Sequence, residues 1–254
     1  MRGSPLGAMA VAASLLVLAP ALAQTPSTPA PQPQPARPAA KPAPKPPAAT
    51  PAPRPTAPTA PAAPGAALDL KGFRSAAFGM TPAQVRAAVT GDFGPAAKLT
   101  EGANVADGTE FLLAAVDHLD PGPGPAQIGY VFGATSKTLT AVNVVWSTVA
   151  EPTDQQRAAM IQAGQQLAAY FESGPPPAKV GGLATFGANG LLLYRGVDRK
   201  NAGVVVMVDG VAYQKTGGDK TEASPPPKGP ATLRVSYQLD VDKPDVKTLK
   251  PGSF

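Results

Sequence analysis

Apolar and polar positions divide the chain into a short apolar opening, a long stretch without periodicity, and a periodic remainder. Periodicity sets in near residue 78. Thr81 stands as an N-cap, with Pro82 at the first helical position and Gln84 completing a Thr-x-x-Gln capping box. Met80 before the cap and Val85 beyond it fit a hydrophobic staple. Val85, Ala88 and Val89 form a short apolar stripe, and Gly91 predicts the end of this helix near residue 90. Four strand-like runs follow. Ala97–Glu101 is weak, and Glu110–Leu119 is apolar at both alternations, as in a strand covered on both sides. Gln127–Gly133 alternates with Ile128, Tyr130 and Phe132 on one face, and Leu139–Ser147 with Val142, Val144 and Trp146. Pro121–Pro125 and Ala134–Thr138 supply the intervening turns.

A similar order then recurs. Thr153 and Gln156 repeat the capping box. Arg157, Ile161, Gly164, Ala168 and Phe171 share one helical face, flanked by Met160 and Leu167, and Gly174 with Pro175–Pro177 stops the helix. Strand-like runs follow at Gly182–Gly187, Leu191–Gly196, Gly203–Val208 and Ala231–Val241. Asn189-Gly190 predicts a tight two-residue hairpin turn, and Asp209-Gly210 a turn leading into Val211–Gln214. Lys215–Pro230 reads as a polar loop of 16 residues. Helices do not alternate with single strands, which argues against a parallel βαβ sheet. The expected fold class is α+β, built as two consecutive helix-plus-four-strand antiparallel units over 68–150 and 151–241. An extended tail over 242–254 follows. Helices should cover one face of the sheets and leave the other partly open.

Composition changes this picture mainly at the front. The chain of 254 residues has 33 Pro, 26 Gly, one His, no Cys and a formal charge of +5. Residues 24–67 hold sixteen of the prolines, four bases (Arg37, Lys41, Lys45, Arg54) and no acid, whereas residues 68–254 hold 17 bases and 17 acids. The part able to fold is therefore neutral, which argues against a basic nucleic-acid-binding domain. Without cysteine there are no disulfides, thiol nucleophiles or thiolate metal sites.

Met1–Ala23 has the form of a secretory signal. Arg2 precedes an apolar run from Leu6 to Ala19, Pro20 breaks it, and Ala21-Leu22-Ala23 predicts a cut between Ala23 and Gln24. The expected compartment is a bacterial periplasm. An uncleaved anchor is the competing reading, although about 18 weakly hydrophobic, Ala-rich residues are marginal for a bilayer span of ~20. The next 44 residues lack the apolar content to offset ordering, and their prolines favour a stiff polyproline II spacer. At ~3.1 Å per residue this spacer reaches on the order of 130 Å. Its Pro44-Lys45-Pro46 character resembles the periplasm-spanning linker of TonB-type energy couplers.

A second resemblance lies in Phe78-Gly79-Met80-Thr81-Pro82-Ala83-Gln84-Val85. This segment is similar to the Gly-Met-Thr-x-x-x-Val helix start of BamE/SmpA-like envelope proteins and of the tandem β-lactamase-inhibitor-protein fold. Both imply a helical segment before an antiparallel sheet, and the second implies a doubled unit. Phe73-Arg74-Ser75 and the Val142–Trp146 strand also resemble uncharacterised exported proteins of α-proteobacteria, which implies location more than activity.

Candidate chemistry is sparse. His118 lies between Asp117 and Asp120, a grouping able to bind a metal or act as a base, but alternation places Asp117 and His118 on opposite faces of an extended strand. A hydrogen-bonded strand-end residue is the plainer reading. No nucleophile elbow, HExxH, Walker or dinucleotide motif is present. Glu101, Glu110, Glu151, Glu172 and Glu222 offer carboxylates for glycoside hydrolysis without a surrounding aromatic subsite series. Trp146 and Tyr130 suit either an aromatic binding face or the core. Asp198-Arg199-Lys200 suits a solvated hairpin tip, and Phe254 a docking terminus or a loose end. No catalytic, cofactor-binding or metal residue is assigned. The expectation is an exported, non-catalytic binding or envelope-associated module on a stiff linker. Its expected partner is an unidentified envelope protein or polymer, without nucleic acid and without stable membrane insertion once the signal is cut. The alternatives are an uncleaved, membrane-anchored TonB-like scaffold and a hydrolase acting on an envelope polymer.

Overall fold

The computed structural model describes residues 66–95, 97–217 and 220–248. The expected signal, all but the last two residues of the expected linker, and Phe254 lie outside the described residues. Described elements begin with a minimal hairpin of β1 (Gly72–Phe73) and β2 (Ala76–Ala77), followed by helix α1 (Pro82–Phe93). Thr81 caps α1 with both halves of the capping box formed. Gly91 does not end the helix as expected. The chain continues one turn further, because Phe93 packs on the core and Asp92 accepts hydrogen bonds from the Ser75 amide and hydroxyl (3.0 and 2.7 Å). Gly94, at φ 79°, ends it in a left-handed conformation suited to glycine.

Four strands follow: β3 (Lys98–Asn104), β4 (Thr109–Val116), β5 (Ala126–Phe132) and β6 (Leu139–Ser147). Helix α2 (Asp154–Glu172) opens on a second complete capping box at Thr153. The expected run 182–187 is divided into β7 (Lys179–Gly181) and β8 (Ala184–Phe186), both paired with β9 (Gly190–Val197). The β8–β9 turn has three residues, 187–189, where a two-residue turn was expected, because Phe186 pairs with Gly190. Asn189 reaches outward and donates to the carbonyls of Val211 and Pro225 (3.1 and 2.7 Å). Beyond β10 (Gly203–Asp209), the expected 16-residue loop contains a hairpin of β11 (Gln214–Gly217) and β12 (Lys220–Ala223). Strand β13 (Thr232–Gln238) comes last.

The fold is α+β, with one antiparallel sheet of nine strands in the order β3-β4-β5-β6-β13-β10-β9-β7, and β8 beside β7 on β9. The last strand therefore sits in the middle, paired to β6 on one side and β10 on the other. Register aligns one buried row through Ala114, Ile128, Val144, Val235 and Val206. Val85 and Val89 of α1 and Met160, Ala163 and Phe171 of α2 join these side chains in one apolar core. Burial of such side chains is the main driving force, worth about 1.5–3 kcal/mol for each fully buried one. Gly164 lets α2 approach the sheet, since a Cβ there would lie 2.6 Å from Leu193 Cδ1 and 2.8 Å from Val208 Cγ2. Arg157 is buried on the same helix and donates to the carbonyls of Gly210 and Gly229, tying down both ends of the β10–β13 connection.

Both helices lie on the same face of the sheet. The expectation that the Glu110–Leu119 strand is covered on both sides is therefore corrected. Leu112, Ala114 and Val116 are buried beneath the helix layer, whereas Phe111 and Leu113 are half-buried on the opposite face and outside the core. The strand also ends earlier, at Val116, where the chain turns into the 117–125 loop. After β13 the chain runs along one end of the sheet. Leu239 donates to Thr140, Val241 to Asn201 and Lys247 to Asp107. Asp245 accepts from the amides of Thr135 and Ser136 (2.9 and 2.8 Å).

Candidate binding face and cavity

The face away from the helices carries no described element of its own. Its rows follow from strand register. One row runs Thr100, Leu113, Gly129, Asn143, Ser236, Val205, Arg195, and the next runs Lys98, Ala115, Gln127, Val145, Arg234, Met207, Leu192. Leu113, Val145, Val205, Met207 and Leu192 are half-buried on this face. In its middle the Ser236 hydroxyl donates to Asn143 Oδ1 at 2.7 Å, and Gly129 leaves a shallow dip between Leu113 and Asn143. Lys98, Lys179 and Arg234 stand on this face of the described strands, with Asp209 at one end. The sequence signal was present in the double apolar alternation of 110–119. Hydropathy alone points to burial on both sides, because it does not distinguish a covered face from a bare one.

A second feature lies on the helix side, between α2 and the β1–β2 hairpin. A cavity of about 120 Å³ is lined by Phe73, Leu167, Trp146 and Tyr237, with Arg74 and Asp120 as its two charged residues. Trp146 is 2% exposed and donates its indole N–H to the Leu119 carbonyl at 2.9 Å. Gly122 makes that contact possible, because a Cβ there would lie 2.1 Å from the indole nitrogen. Phe73 packs on Tyr237 at 5.7 Å. Arg74 has φ 52°, an unfavourable conformation for a non-glycine residue, and its guanidinium stacks 4.7 Å above the Phe93 ring. Burial raises the Tyr237 hydroxyl pKa above its ordinary value, and Tyr170 adds to the effect.

The remaining expected positions are dispersed. His118 is exposed, and its Nε2 lies 3.0 Å from Asp120 Oδ1. Tyr130 is fully buried beneath the helices, so both aromatics weighed as a binding face belong to the core. Asp198 is buried at a hairpin tip and accepts from the amides of Leu70, Lys200 and Ala202, while Lys200 pairs with Asp69 at 3.0 Å. That ammonium holds the Asp69 carboxyl below its usual range. Glu101 pairs with Arg86 and Glu110 with Lys137, and Glu151, Glu172 and Glu222 are exposed. Among the described residues no group of three His, Cys, Asp or Glu is placed to hold a metal ion, and no helix is long and apolar enough to cross a membrane. Comparison with protein families, curated proteins and solved structures finds no match to this chain.

Proposed function

We propose that this chain is an exported, non-catalytic binding module that docks an acidic protein of the cell envelope on the bare face of its sheet. The observation that carries the reading is the basic, half-apolar face centred on Leu113, Val145, Val205 and Arg234. A contiguous apolar surface rimmed by polar groups is a common mark of a protein interaction site. Cations on such a face steer an acidic partner toward it. In this reading the molecule consists of two helix-led units that have merged through β13 into one sheet. The Pro-rich segment then serves as a spacer that carries the module away from the point of export.

The test is crosslinking of the full-length chain in the native envelope, comparing wild type with a Leu113→Glu/Val205→Glu variant. A Gln165→Glu variant on the exposed side of α2 is the control. One crosslinked partner should appear with wild type and control and disappear with the double variant, while the circular dichroism spectrum stays unchanged. Raising salt from 0.05 to 0.5 M should weaken that complex, because exposed charge pairs are screened. A partner retained by the double variant would place the interface elsewhere. Intact mass of the exported protein should begin at Gln24, and retention of Met1 would support the anchored alternative.

A further inference from the structure

We infer that the cavity beside Trp146 is a separate site for a free amino acid with an apolar side chain. Two observations converge. The cavity is apolar and small, at about 120 Å³. An apolar cavity of about 150 Å³ holds one benzene, so this one suits a single phenyl or branched aliphatic side chain. Its two charged residues have opposite sign, yet Arg74 and Asp120 do not pair with one another. Among the described residues no carboxylate or carbonyl accepts from the Arg74 guanidinium, which is stacked on Phe93 with its N–H edge available. Asp120 is held by His118.

An apolar body between a guanidinium and a carboxylate matches an α-amino acid zwitterion. The side chain enters among Phe73, Leu167, Trp146 and Tyr237. The α-carboxylate meets Arg74 and the α-ammonium meets Asp120. Residues within or at either end of a peptide lack one or both of these free charges, so the site selects the free amino acid. This site lies on the helix side of the sheet and does not depend on the docking face.

Trp146 is the sole tryptophan, so intrinsic fluorescence reports directly on the cavity. Full-length protein is titrated with L-leucine and L-phenylalanine, and with glycine, the N-acetyl amino acids and the amino-acid amides. The two apolar amino acids should give a saturable change in Trp146 emission. Glycine should give none, and each singly charged analogue should bind roughly tenfold more weakly for want of one charge-assisted pair. Arg74→Gln should remove the preference for the carboxylate over the amide, and Asp120→Asn the preference for the ammonium over the N-acetyl form. Both side chains are exposed, and the analogue series on wild type needs neither variant. Absence of saturation up to 50 mM, or analogues binding as well as the parent amino acids, would overturn the assignment.

Discussion

At the scale of single residues, the hydroxyls of Tyr130 and Tyr194 are the two buried side-chain groups without a partner among the described residues, and Tyr130 is the more informative. Burial, reinforced by Asp92, pushes the pKa of its hydroxyl upward. A buried hydroxyl without a partner costs about 1–3 kcal/mol. Tyr130→Phe is therefore expected to stabilise the fold by roughly 1 kcal/mol in urea unfolding. A loss of that size would instead mean that the hydroxyl holds a partner such as an ordered water. The sequence made Tyr130 legible as an inward residue through its alternation with Ile128 and Phe132, and all three are buried. Arg74 was not legible in the same way. Nothing in Phe73-Arg74-Ser75 discloses a left-handed arginine, because that conformation is imposed by the β1–β2 turn and by stacking on Phe93.

The two helices show how far local signals carry at the scale of elements. Both capping boxes formed where Thr81 and Thr153 predicted them, since a cap is satisfied within four residues of chain. The stops were less legible. Gly91 is a poor helix former, but its loss of about 1 kcal/mol is outweighed by the contacts that Phe93 and Asp92 make beyond it. The two helical glycines should respond oppositely to added bulk. At Gly91 a Cβ meets nothing within 4 Å, so Gly91→Ala should stabilise α1 by about 0.5–1 kcal/mol. At Gly164 the sheet lies directly beneath, so Gly164→Val should cost about 1–3 kcal/mol by overpacking. Thermal unfolding of the two variants checks both signs, and a stabilised Gly164→Val would mean that α2 does not ride as close as described.

For the whole molecule, the chain segment after β13 gives a pH signature. Hydrogen bonds from Ser136 and Thr135 pull the Asp245 carboxyl down to about 2, below the usual carboxylate range. A depressed carboxylate favours the folded arrangement above its unfolded pKa and loses that contribution as pH falls through the folded value. Amide exchange at 239–248 should thus stay slow down to about pH 4 and accelerate, relative to the core strands, between pH 4 and 2. Asp245→Asn should abolish that acid-dependent step, and an unchanged step would assign it to another group. The antiparallel α+β class was legible from alternation and from the order of helices and strands. The joining of both halves into one sheet was not, because pairing β6 with β13 links residues about ninety positions apart and no local pattern records such a partner.

The central place of β13 also bears on biogenesis. A ribosome delivers Thr232–Gln238 after every other described strand, yet this segment is the seam between β6 and β10. Until it emerges, two apolar strand edges stay open and neither half can complete its hydrogen-bond ladder. Vectorial synthesis thus postpones closure of the sheet until Gln238 has emerged. Under the exported reading proposed above, that delay would help keep the chain unfolded until it is threaded through an export channel. Premature termination before β13 would leave the facing edges of β6 and β10 unpaired.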